Sequence, residues 1–223
     1  MAKSIKTPVV IPRQGGATAL QKRQKTDSRK RILDATEALL SEMSYLQATV
    51  EQIAARAKVT KITFYRHFTS KLDVANAVFA KRQPPLLKIF STLTKNELPD
   101  QARVREWLSE IISHFTTHKV FLSVSFEMAA TERQHPGPLF DFYAELTKEM
   151  AKGTPEFAVA RRTKLGRARA LLLVRQTLQF CFDIVQLAGS NDSESLLSAF
   201  TGQFFSFLED MRAEGATQRA IER

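Results

Sequence analysis

Eight consecutive residues, Lys61-Ile62-Thr63-Phe64-Tyr65-Arg66-His67-Phe68, mix donors suited to phosphate with groups suited to base edges. At about 100° per residue, Phe64 and Phe68 fall on one side of a helix and must face a core. Ile62, Thr63 and Arg66 point the opposite way, flanked by Lys61 and Tyr65 on one edge and His67 on the other. Lys, Arg, Thr, Tyr and His can donate to phosphate oxygens or guanine edges, and Ile can meet a thymine methyl. Such a face suits a major groove; a solvated helix in some other bundle is the plainer alternative.

The neighbouring residues are those needed to hold that helix in place. Thr49 and Gln52 have capping-box spacing, so a helix starts after Thr49. Val50, Ile53, Ala54 and Ala57 give it a narrow apolar face, with alanine where another helix must come close. Ala57-Lys58-Val59 is the length of a helix-turn-helix corner. Thr60 then caps Lys61 to Phe68, and Ser70, with Asp73 three residues on, caps the next helix. Upstream, Ile32, Ala35, Thr36, Leu39 and Leu40 form the buried stripe of a first helix over about Asp27 to Met43. Pro84-Pro85 is expected to end the helix that Ser70 starts.

The order Arg31-Ile32-Leu33-Asp34-Ala35, Ile53-Ala54, Ala57, Val59-Thr60, Thr63-Phe64-Tyr65, His67-Phe68 and Ser70-Lys71 resembles the DNA-binding domain of the TetR family of bacterial repressors. The resemblance covers roughly Thr26 to Lys81, about a third of the chain, and holds in both order and spacing. It implies base contacts from Lys61, Ile62, Thr63 and Arg66. Thr49, Thr60, Tyr65, His67 and Lys71 would mainly hold phosphates. Lys58 and Ser44 stand where the family usually has glycine, and Ile62 where it usually has a small residue. A positive φ at Lys58 would cost on the order of 1 kcal/mol, and Ile62 puts a bulkier group towards the groove.

Charge supports a polyanionic partner. The 223-residue chain has a formal net charge of +10. Residues 1–82 hold 16 Lys+Arg against 6 Asp+Glu, whereas residues 83–223 hold 17 of each. The whole excess lies on the segment resembling a DNA reader. Residues 1–25, with Pro8, Pro12, Gly15 and Gly16 and no periodicity, read as a disordered basic arm. Lys22, Arg23, Lys25, Arg29, Lys30 and Arg31 lead from it into the first helix. That arm either follows DNA or serves as a solubilising tail. The single cysteine, Cys181, fits a reducing, cytoplasmic setting and excludes an intramolecular disulfide framework. No apolar run approaches the ~18 residues of a membrane span.

From residue 82 the chain reads as a helical effector-binding and dimerisation domain, after the DNA-binding domain at 26–81. Helices are expected over Leu86–Leu93, Arg103–Thr117, Val120–Thr131 and Leu139–Met150, with a break at His135-Pro136-Gly137-Pro138. Two long helices, about Phe157–Ala188 and Asp192–Arg212, should pair antiparallel around Gly189-Ser190-Asn191. Basic residues at 161–169 would then meet Glu209, Asp210 and Glu214. In TetR relatives the middle helices enclose a pocket for a small effector. Its candidate lining here is Phe90, Trp107, Phe115, Phe121, Phe126, Met128, Phe140, Tyr143 and Phe182, suited to an apolar or amphipathic ligand, although such residues also simply fill cores. Leu171, Val174, Leu178, Leu197, Phe200, Phe204, Phe207 and Leu208 are candidates for a homodimer interface.

The fold expected is therefore all-α, of about nine helices. An N-terminal three-helix helix-turn-helix domain precedes a C-terminal helical ligand-binding and dimerisation domain. The function expected is a ligand-responsive repressor acting as a homodimer on a palindromic double-stranded operator. The alternative is a non-specific DNA-binding or multidrug-sensing module without a single operator. His114 and His118, at i and i+4, lack a third ligand nearby, so no metal or cofactor is expected. No phosphate-binding glycine loop, nucleophile elbow or zinc-type Cys/His set calls for catalysis.

Overall fold

The computed structural model describes residues 19–94, 98–131, 137–187 and 192–221, and its described residues form ten α-helices. The expected arm up to residue 18, Pro136 of the expected break and the Gly189-Ser190-Asn191 corner lie outside them. Helices α1 (Ala19–Glu42), α2 (Val50–Arg56), α3 (Lys61–Tyr65) and the first half of α4 (Lys71–Phe90) make the head. The body is α5 (Gln101–Thr117), α6 (Lys119–Thr131), α7 (Gly137–Gly153), α8 (Pro155–Ala160), α9 (Lys164–Gln186) and α10 (Ser193–Ile221).

Local chemistry sets the head's helix ends. The Gln52 amide donates to Thr49 Oγ1 at 3.2 Å, while Thr49 N–H donates to Gln52 Oε1 at 2.8 Å, closing the capping box. At the other end of α2, Lys58 N–H donates to the Ala55 carbonyl and Val59 N–H to the Ala54 carbonyl, both at 3.0 Å. These two bonds form a Schellman ending, which requires a left-handed residue, and Lys58 supplies it with φ of 54°. A Cβ is strained there, so Lys58→Gly is expected to raise stability by about 0.5–1 kcal/mol after glycine's own entropy loss. A higher urea midpoint at unchanged m-value is the check.

Ile32, Ala35, Leu39, Ile53, Ala54, Ala57, Phe64, Phe68 and Val74 close into the head core. A second small cluster, Leu40, Tyr45, Ala48 and Ala75 with Val124 and Met128 of α6, joins head to body. The body core is centred on Trp107, whose Nε1–H donates to the Ile89 carbonyl at 2.9 Å. Its ring lies 5.1 Å from those of both Phe90 and Phe204.

Three boundaries differ from expectation for physical reasons. First, α1 begins at Ala19 rather than near Asp27, so Lys22, Arg23 and Lys25 are helical rather than part of an arm. Ser28 is buried beneath His67 on this early stretch, a tertiary anchor that periodicity does not reveal. Second, α4 continues through Pro84 and Pro85 to Phe90. Two helical N–H groups are lost there, but Leu86 and Phe90 beyond them are buried in the body core and hold the helix together.

Third, the expected long helix from Phe157 breaks at Arg161–Thr163, where Thr163 Oγ1 accepts the Gly166 amide at 2.9 Å and starts α9. Gly166 lets this turn sit on the end of α8, because a Cβ there would lie 2.2 Å from the Ala160 carbonyl oxygen. Further on, α10 lies against α5 and α8, and it runs past Arg212 to Ile221.

Candidate nucleic-acid interface

The outward face of α3 has the residues the sequence placed there. Phe64 is fully buried, with Phe68 behind it at 6.0 Å between rings, whereas Ile62 is 78% and Tyr65 54% exposed. Thr60 Oγ1 accepts the Thr63 amide at 3.1 Å and fixes the start of the helix. The helix itself is only five residues long, shorter than the expected Lys61–Phe68. Turn hydrogen bonds from Arg66 N–H to the Ile62 carbonyl and from Phe68 N–H to the Phe64 carbonyl continue the same curve, so Arg66 and His67 stay beside it.

Lys61 is ion-paired with Glu51 of α2. The hydrogen bond that Lys61 donates to Glu51 holds its ammonium pKa above the usual value. DNA contact by Lys61 therefore means exchanging a carboxylate for a phosphate or a base edge. Arg66 is exposed, and its guanidinium has no side-chain hydrogen bond or ion pair among the described residues.

His67 connects α3 to α1. Its Nε2 lies 2.8 Å from Ser28 Oγ. The single Ser28 hydroxyl proton goes to the Lys25 carbonyl at 3.0 Å, so the imidazole donates from Nε2 and any extra proton must enter at Nδ1. Burial, then Arg66, Lys25 and Arg29, push the His67 pKa below its usual value. Because the unfolded chain takes up this proton first, the contribution of neutral His67 to stability is complete above about pH 6.5 and is lost as pH falls through the folded value. A phosphate beside this cation cluster would reverse the shift, because it favours the charged imidazole.

Ser28 is the member of this surface that sequence reasoning missed, and only the contact across 39 residues reveals it. Arg29, from the same turn of α1, lies 4.4 Å over the Phe68 ring. Arg31 donates to the Lys58 carbonyl at 3.4 Å. The basic cluster ahead of the first helix thus becomes a helical face alongside α3.

Lys71 is placed differently from its expected phosphate-holding role. Its Nζ donates to the Tyr45 carbonyl at 2.8 Å and the Ala48 carbonyl at 2.9 Å, and it lies 4.1 Å over the Tyr45 ring. Here the ammonium clamps the loop that leads into Thr49.

The described effector-pocket candidates lie in several different settings. Phe90, Trp107, Phe115 and Tyr143 are close-packed in the body core, because tight packing and pocket lining use the same residue types. Met128 is buried at the junction with the head, and Phe140 is 45% exposed. Phe126 and Phe182, partly buried, meet at 4.3 Å between rings. The Phe121 side chain lies outside the described residues.

Two open cavities are present elsewhere. One of about 520 Å³ separates α1 from the α5–α6 corner, lined by Asp34, Glu37, Arg82 and Thr116 to Lys119 among others. One of about 450 Å³ is lined by Lys148, Lys152 and Arg161 with Ala151 and Ala158. The His114 and His118 rings meet edge-on at 4.6 Å between centroids, and among the described residues no group of three or more His, Cys, Asp or Glu is placed to hold a metal ion.

The expected dimer-interface residues are also redistributed. Val174 and Leu178 of α9 and Phe200, Phe204, Phe207 and Leu208 of α10 are buried within the protomer, where α9 packs on α5, α7 and α8 and α10 on α5 and α8. Leu171 and Leu197 remain half-buried, while Leu172 and Leu196 are exposed. The expected charge pairing of the two last helices is present at Arg169, which reaches Asp210 at 2.6 Å and Glu214 at 2.8 Å.

Residues 32–78, which span α2, α3 and the buried part of α1, match the family described as bacterial regulatory proteins, tetR family. This segment of the head is thus similar to the tetR-type regulatory proteins. Over 87 residues the chain is 36% identical to the HTH-type transcriptional regulator SrpR of Pseudomonas putida and, equally, to the HTH-type transcriptional regulator TtgW of the same species. That stretch is 39% of this chain but only 38% and 60% of the two relatives.

The similarity in fold extends over most of the chain. A TetR-family regulator from Streptomyces coelicolor superposes with a TM-score of 0.59 at 14% identity, covering 88% of each chain. Another, from Mesorhizobium loti, gives 0.55 at 17% identity, covering 85% of this chain and 97% of that one. At such identities these two similarities establish architecture alone. No described helix is long and apolar enough to cross a membrane.

Proposed function

We propose that the chain is a ligand-responsive repressor that binds a palindromic operator as a homodimer. The observation that carries this reading is the α3 face, with Ile62, Tyr65 and Arg66 exposed above a fully buried Phe64 on the only part of the chain with excess positive charge. Lys61, Ile62, Thr63 and Arg66 read base edges; Thr49, Thr60, Tyr65 and His67 hold phosphates. Lys71 acts first by fixing the Thr49 end of α2 and reaches phosphate only by leaving its two carbonyls.

Two protomers pair through α9 and α10, using Leu171, Leu172, Leu196 and Leu197, which the protomer core leaves accessible. Their heads then address successive major grooves about 34 Å apart or somewhat more. A small apolar or amphipathic effector entering between α6 and α9, where Phe126 meets Phe182, shifts the population away from the DNA-fitting arrangement.

Binding to duplex DNA flanking the protein's own gene, in competition with random duplex, tests the reading. A specific regulator prefers its site by about 10³-fold or more. Tyr65→Ala is expected to weaken binding to both DNAs and reduce the salt slope by about one. Equal affinity of the wild-type protein for both duplexes would favour a module without a single operator.

A further inference from the structure

The head and the body meet at Tyr45. This residue is 1% exposed, although it lies in the loop between α1 and α2. Its carbonyl and its ring are both held by Lys71 from within the head. Its backbone N–H is held from outside, because Glu127 Oε2 of α6 accepts it at 2.7 Å. Val124 and Met128 pack on the same cluster, so positions 124, 127 and 128 form one face of α6 turned towards the head. Phe126 projects from the opposite face and meets Phe182 of α9. Helix α6 is therefore a rigid bar with the body's aromatic interior on one side and the head's loop on the other.

We propose that Glu127 is a positioning residue for DNA binding, the group through which α6 fixes the head's orientation. This rests on the DNA-binding reading above. A carboxylate accepting a backbone N–H at 2.7 Å is a charge-assisted and directional contact. Rotation of α6 driven from the Phe126 side would withdraw this carboxylate from the buried Tyr45 N–H. The Tyr45 loop leads directly into Thr49, so its displacement reaches the start of α2. Glu127 itself touches no DNA. Its own negative charge opposes DNA binding, so a purely electrostatic role predicts tighter binding once it is removed.

The test is fluorescence anisotropy of full-length wild type, Glu127→Ala, Glu127→Asp and Glu127→Gln on a duplex that the wild type binds, across a salt series, with urea unfolding alongside. Glu127→Ala is expected to bind about three- to tenfold more weakly, the range for residues that couple sites without touching ligand. Its salt slope should be unchanged, because no phosphate contact is lost. Glu127→Asp, one methylene short of the amide, should resemble Ala. Glu127→Gln, which keeps the acceptor without the charge, should lie within about twofold of wild type. Wild-type or tighter binding by Glu127→Ala overturns the proposal, as does a Gln variant as weak as Ala or a changed slope. A wild-type protein indifferent to duplex DNA would instead overturn the DNA-binding reading, and this proposal with it.

Discussion

Replacing Arg212 by alanine is expected to destabilise the protein by about 3–5 kcal/mol, the cost of stranding a buried charge. Glu156 sits in the first turn of α8 and is 1% exposed. Its Oε1 accepts Arg212 Nε–H at 2.5 Å, and the same guanidinium donates from Nη2 to the Pro99 carbonyl at 2.7 Å. Among the described residues Glu156 Oε2 has no hydrogen-bond partner, and Arg212 is the cation that pairs with this carboxylate. Removing it leaves an ionised group in an apolar setting beside Phe157 and releases the tie between α8, α10 and the chain before α5.

Urea unfolding measures this effect directly. Arg212→Met combined with Glu156→Leu, which removes both charges at similar volume, is expected to recover most of the loss. Arg169→Ala is the contrast. Its partners Asp210 and Glu214 are half or more exposed, and exposed pairs contribute only about 0–1 kcal/mol. If Arg212→Ala proves as mild as Arg169→Ala, the buried pair is not what ties α8 to α10.

Phe64→Ala is expected to cost about 3–5 kcal/mol and to abolish DNA binding, although Phe64 touches no DNA. Its ring is 0% exposed and packs in the cluster formed by Ile32, Ile53, Ala57 and Phe68. The buried head core is small, these side chains with Ala35, Leu39, Ala54 and Val74, so one void removes a large fraction of its cohesion. The body core around Trp107 shares none of them. Circular dichroism should therefore show loss of the head's helices at a lower denaturant concentration while the body's helices persist. Binding retained at wild-type affinity would show that α3 does not depend on this ring for its pose.

The difference between head and body also explains what the sequence could and could not reveal. In the head three helix ends have their signal within four residues: Thr49 with Gln52, Thr60 with Thr63, and Lys58 at the left-handed corner. Local chemistry decides those positions, so Phe64 is read as buried and Ile62 as exposed without a structure. In the body the same apolar periodicity serves core, pocket and interface alike. Phe204 and Leu208 look like partner-facing residues until α10 is seen lying against α5 and α8. Pro84-Pro85 looks like a stop until Leu86 and Phe90 are found in the core beyond it. Ser28 beneath His67 and Glu127 on Tyr45 are contacts across 39 and 82 residues, with no local pattern to announce them. The Gly166 turn against Ala160 was legible in principle, since Thr163 and Gly166 have cap spacing.

On the proposed function, the excess positive charge of residues 1–82 draws the head to duplex DNA. The most direct test is the affinity of the full-length wild-type protein for duplex DNA measured between about 50 and 200 mM salt. A protein neutralising about 6–10 phosphates through two heads should lose on the order of 10³–10⁵ in affinity over that range, with a linear log–log plot. A flat plot, or no binding at the lowest salt, would contradict it.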